Sequence, residues 1–85
     1  MGARRFEEAI TAYQDVAAIF RETGDLRAEG NALGNLGLAL TGAGRLEEAI
    51  AAYQDAVAIF RKTGDRQRER MALDNLESAR DERQT

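Results

Sequence analysis

The chain has 85 residues, with 12 basic side chains against 15 acidic ones and a net charge near -3, so it makes one small domain and offers no electrostatic reason to expect nucleic acid or an anionic membrane. It contains no His and no Cys, which removes disulfides, thiolate metal sites and the side chain best suited to proton transfer near neutral pH. The absence of Pro and the abundance of Ala, Leu, Arg, Glu and Gln favour helix throughout, and no segment alternates apolar with polar residues as a half-buried strand requires. An all-α fold is the expectation. No apolar run approaches the ~20 residues that span a bilayer, and the opening MGARRFEEA lacks the apolar centre of a signal peptide. These features predict a cytoplasmic protein.

The first helix is predicted over residues 3–22. Phe6, Ala9, Ile10, Tyr13, Val16, Ala17 and Phe20 recur at steps of three and four, which places them on one side. Thr23-Gly24-Asp25 is a stop followed by a start: Gly24 can adopt the left-handed backbone that closes a helix, and Asp25 can accept from the free amides that open the next. A second helix follows over residues 26–41, with Ala32, Leu33, Leu36, Ala39 and Leu40 as its inner stripe. Gly30, Gly34 and Gly37 lie inside it, each costing roughly 1 kcal/mol relative to Ala, and close approach of a neighbouring element is the expected reason for all three.

After a Gly42-Ala43-Gly44 corner, a third helix over residues 46–62 repeats the first. Residues 5–25 and 45–65 superpose without a gap and match at 16 of 21 positions, which gives a period of 40 residues. Thr63-Gly64-Asp65 repeats the punctuation, and a fourth helix over residues 66–83 echoes the second. Met71, Leu73 and Leu76 keep its inner stripe. Beyond them Glu77, Ser78, Arg80, Asp81 and Glu82 stand where the second helix has Gly37, Leu38, Leu40, Thr41 and Gly42, as expected of an end that faces water. The chain thus divides into an unpaired opening helix (3–22), a complete hairpin (26–62) and a terminal helix or cap (66–83), all within one domain spanning 1–85.

Large, large, small, large at Leu33, Leu36, Gly37 and Leu40, followed by small, aromatic, small at Ala49, Tyr53 and Ala56, resembles the tetratricopeptide repeat family. Ala9, Tyr13 and Val16 carry the second-helix part of that signature, and Leu73 and Leu76 part of the first-helix one. The 40-residue period and the missing terminal Pro look like the longer-helix variety, similar to repeats of kinesin light chains and bacterial signalling proteins. The resemblance implies antiparallel helix pairs stacked into a right-handed superhelix, and a non-catalytic scaffold that binds a peptide or helix on its concave face.

Carried onto this chain, the concave face comprises Asn31, Gly34, Asn35, Leu38 and Thr41 from the second helix and Asp74, Asn75 and Ser78 from the fourth. Asn35 and Asn75 occupy equivalent positions one repeat apart, and a carboxamide can donate to and accept from an extended backbone at once. The bland alternative is that both amides bridge local backbone groups. The opening helix lacks the preceding neighbour that its counterpart possesses, which points to self-association through Phe6, Ile10, Tyr13 and Phe20, as a homodimer or larger array. A regulatory part of a larger signalling protein is a third reading.

Other candidates reduce to structure. The basic run at residues 66–70 is interrupted by Glu69 and carries no interleaved aromatic, so it reads as a solvated face. Glu7-Glu8 and Glu47-Glu48 point about 100° apart at helix starts, where carboxylates suit the dipole. No catalytic residue, metal or cofactor is expected.

Overall fold

The computed structural model describes residues 3–85; Met1 and Gly2 of the expected domain lie outside the described residues. Four helices follow in order: α1 Ala3–Thr23, α2 Leu26–Gly42, α3 Leu46–Thr63 and α4 Arg66–Gln84. Each lies within two residues of its expected end. Among the described residues there is no strand.

The turns form as their residues dictate. Gly24, Gly44 and Gly64 all take positive φ, at 78°, 77° and 73°, in the left-handed region that closes a helix without a Cβ clash. Asp25 and Asp65 then cap the next helix, their carboxylates accepting from the backbone amides of Ala28 and Arg68 at 3.1 Å each. Arg45 stands at the corresponding place before α3 without a capping acceptor. Its guanidinium instead bridges Glu48 at 2.6 and 2.8 Å and Glu7 of α1 at 2.7 Å. That bond holds the Glu48 carboxyl below its usual range and raises the Arg45 guanidinium. The acidic pairs of the helix starts are thus anchored by cations: Glu7 and Glu48 by Arg45, and Glu47 by Arg83 at 3.0 Å.

Packing is sequential, α1 on α2, α2 on α3 and α3 on α4. This puts α1 and α3 in one layer and α2 and α4 in the other, and the shortest dimension of 17 Å matches two helix layers. The core runs between the layers through Ile10, Ala17, Leu36, Leu40, Ile50, Tyr53, Val57, Phe60, Ala72 and Leu76. No buried side chain there is polar or charged apart from the Tyr53 hydroxyl.

Two of the three interior glycines of α2 have the reason expected of them. A Cβ at Gly30 would meet the Phe60 ring, and one at Gly37 would fall on the Tyr53 ring. Gly34 differs: nothing lies within 4 Å of where its Cβ would be. It faces open space, so its small size keeps a hollow free and does not admit a neighbour. Gly42 is a further close approach, with the Phe6 ring of α1 lying against it.

Candidate functional site

The gap that Gly34 leaves is part of a cleft between α2 and α4. It encloses about 310 Å³ and is lined by Gly30, Asn31, Gly34, Asn35 and Leu38 on one wall and by Gln67, Arg68, Met71, Ala72 and Asn75 on the other. The rings of Tyr53 and Phe60, reaching through from α3, form its floor. Both walls come from the same layer because α2 and α4 are equivalent helices of successive hairpins. The repeat period therefore delivers matching residues, Asn35 and Asn75, to opposite sides of one space.

The lining combines apolar side chains with amides. Leu38 is 54% exposed and Met71 58%, each a large apolar side chain left to solvent at the edge of the cleft. Such exposure is informative where the residues border a concavity furnished with polar groups. Arg68 is the one charged side chain in the lining. It donates to the side-chain Oδ1 of Asn31 at 2.6 Å and pairs with Asp65 at 3.1 Å, tying the start of α4 to α2. Arg27 of α2 lies 3.9 Å from the same Asp65 carboxylate.

Asn35 and Asn75 have no such engagement. Among the described residues neither amide forms a hydrogen bond with another protein group.

Three of the residues expected on this face lie outside the lining of the cleft. Thr41 does not line the cleft: its hydroxyl donates to the Gly37 carbonyl at 2.8 Å and meets the Tyr53 hydroxyl behind α2. Asp74 lies on the outer side of α4, in a second hollow with Arg70, Leu73, Leu76, Glu77 and Arg80. Ser78 is exposed and lines neither hollow. Conversely, Gln67, Arg68 and Met71 are groove residues that pattern reading assigned to a solvated face or to the inner stripe. Their signal was present: they stand one period after Arg27, Ala28 and Asn31, at the mouth of the same helix face.

Tyr53, the aromatic of the repeat signature, is 2% exposed and sits within the core against Gly37. Burial raises its phenol above the ordinary range, the hydrogen bond with Thr41 offsets part of that, and the Glu82 carboxylate adds to it.

The layered hairpins, the rings set on Gly30 and Gly37, and the open groove share one repeat, and a family model of the tetratricopeptide repeat matches residues 1–62. The chain belongs to the tetratricopeptide repeat family. A search of curated proteins finds no match. Tetratricopeptide repeats are in general protein–protein interaction modules, and they are typically non-catalytic scaffolds. No group of three or more His, Cys, Asp and Glu among the described residues is placed to hold a metal ion. None of the described helices is long and apolar enough to cross a membrane.

On the opposite layer, the expected self-association surface is redrawn. Ile10 is 2% exposed and belongs to the α1–α2 core, and Phe6 lies against Gly42. Ile10 is spent on α2, and Phe6 packs on Gly42 while staying 39% exposed; the two correspond to Ile50 and Leu46 of α3. Tyr13 and Phe20 are half-buried. An exposed strip of α1 is formed by Ala12, Val16 and Ile19, of which only Val16 belongs to the expected apolar stripe.

Proposed function

We propose that this tetratricopeptide protein is a non-catalytic module that holds an extended peptide or a helix of another protein in the cleft between α2 and α4. The observation that carries the reading is the pair of unengaged carboxamides, Asn35 and Asn75, facing one space from equivalent positions of two helices. Each can take a backbone N–H and C=O of a ligand, while Leu38 and Met71 give apolar side chains a place to rest. Neither nucleic acid nor membrane enters the reading, and a chain without Cys suits work in the cytoplasm. Self-assembly into a homo-oligomer is the alternative reading, and a monomer by light scattering at tens of micromolar excludes it. A regulatory role within a larger signalling assembly uses the same cleft.

The test is to select peptides on the whole chain from a displayed random library and then measure the affinity of the selected peptide. Asn35→Ala with Asn75→Ala should weaken capture at least tenfold, as expected for losing hydrogen bonds worth about 0.5–1.5 kcal/mol each, with helical circular dichroism unchanged. Selection that yields no peptide, or a peptide whose affinity is indifferent to both substitutions, removes this reading.

A further inference from the structure

The molecule contains its own template for what fits the open strip of α1. Helices α1 and α3 are near-copies, and α3 shows the same strip covered: Ala52, Tyr53, Ala56 and Phe60 are buried against α2, where their counterparts Ala12, Tyr13, Val16 and Phe20 have no helix across them among the described residues. Ala56 is 0% exposed, whereas Val16 is 37% and Ile19 57%. What makes α2 fit is specific. Gly30 and Gly37, seven residues apart, let the Phe60 and Tyr53 rings lie on the helix backbone. Arg27, three residues before Gly30, reaches Asp65 at the head of α4. Asp25, the counterpart of Asp65, caps α2 in the same way yet has no cationic partner among the described residues.

From this we infer that the strip formed by Ala12, Tyr13, Val16, Ile19 and Phe20 is a docking surface for a partner helix of the α2 pattern, Arg-x-x-Gly-x-x-x-x-x-x-Gly. Its glycines admit Phe20 and Tyr13, and its Arg complements Asp25.

A second copy of this chain does not supply that helix. Head-to-tail stacking would bring α4 onto the strip, and α4 has Arg70 and Glu77 where α2 has Gly30 and Gly37. A Cβ alone at either glycine already collides with a ring, so two long charged side chains keep the next copy off. The outer face of α4, with Arg70, Asp74, Glu77 and Arg80, is correspondingly polar. Two α1 strips back to back fare no better. Helix α1 has no glycine on which a facing Phe20 or Tyr13 ring could lie, as Gly30 and Gly37 provide on α2. The molecule therefore accepts a helix at α1 and refuses one at α4, which gives it a single direction of assembly.

The direct test adds a labelled peptide of the α2 sequence, residues 26–42, to the full chain. The peptide is expected to bind, to shift the resonances of Tyr13, Val16 and Ile19, and to lose affinity at least tenfold against Val16→Asp with Ile19→Asp. The same loss is expected when the peptide carries Leu at both glycine positions, and a peptide of residues 66–84 should not bind. Binding that survives the two Asp substitutions overturns the inference, because the peptide would then be replacing α2 on α3. So does a concentration-dependent dimer of the full chain that those substitutions disperse. Because a free 17-residue peptide must also fold, a second protein joins a copy of residues 26–44 directly to Arg5. Its melting temperature should rise with Val16 and Ile19 protected, and an unchanged melting temperature overturns the inference on its own.

Discussion

At the scale of single residues, α2 separates two uses of glycine that look alike in sequence. Gly37 underlies the Tyr53 ring and Gly34 borders empty space. Gly37→Ala gains helix propensity but drives a methyl into a buried ring, so a net loss of about 1–3 kcal/mol is expected from overpacking. Gly34→Ala has nothing to displace and should stabilise by about 0.5–1 kcal/mol. Denaturant titration of the two variants checks the pair, and equal effects would show that the two sites are not distinguished by space. Tyr53 offers a second check. Its phenol is raised by burial first, so its contribution to stability is whole below the ordinary phenol pKa of ~10 and is lost as the pH climbs through the folded value. In a Tyr13→Phe protein, where Tyr53 is the sole phenol, ultraviolet ionisation should occur above the ordinary range and coincide with loss of helix. Ionisation in the ordinary range with helix intact would place the ring outside the core.

At the scale of elements, the helices are set by punctuation that recurs every 40 residues. Asp25 and Asp65 each accept from an amide three residues on, and Gly24 and Gly64 take the left-handed turn just before them. Asp25→Ala or Asp65→Ala should each cost about 1 kcal/mol of a two-state unfolding free energy. The Asp65 change should cost at least as much as the other, since that carboxylate also meets Arg68 and Arg27. Thermal melts of the two variants decide it, and a neutral Asp65→Ala would dismiss the cap. This level of the structure was legible in the sequence, because capping residues, periodic apolar stripes and glycine turns act over a few residues and leave a local record. Which side of α1 faces α2 was not legible, since buried Ile10 and open Val16 are both apolar and stand about 120° apart at the two edges of one wide stripe. Only the geometry of a neighbour sorts them.

At the scale of the whole molecule, function follows from putting equivalent helices side by side. Asn35 and Asn75 could be paired from the sequence because the repeat sets them 40 residues apart. Thr41 turns its hydroxyl onto the Gly37 carbonyl and toward Tyr53, while Asp74, one period after Gly34, stands on the side of α4 that Gly34 holds on α2 and so borders the second hollow. Arg68 was undervalued because its role depends on Asn31, 37 residues away. The account rests on the cleft between α2 and α4 being where a partner is held. The most direct measurement is a titration of the isotope-labelled chain with a library-selected peptide, following the side-chain amides of Asn35 and Asn75 and the methyl of Met71. All three should shift together and saturate with one affinity. Saturable binding that leaves the three signals in place would contradict the account.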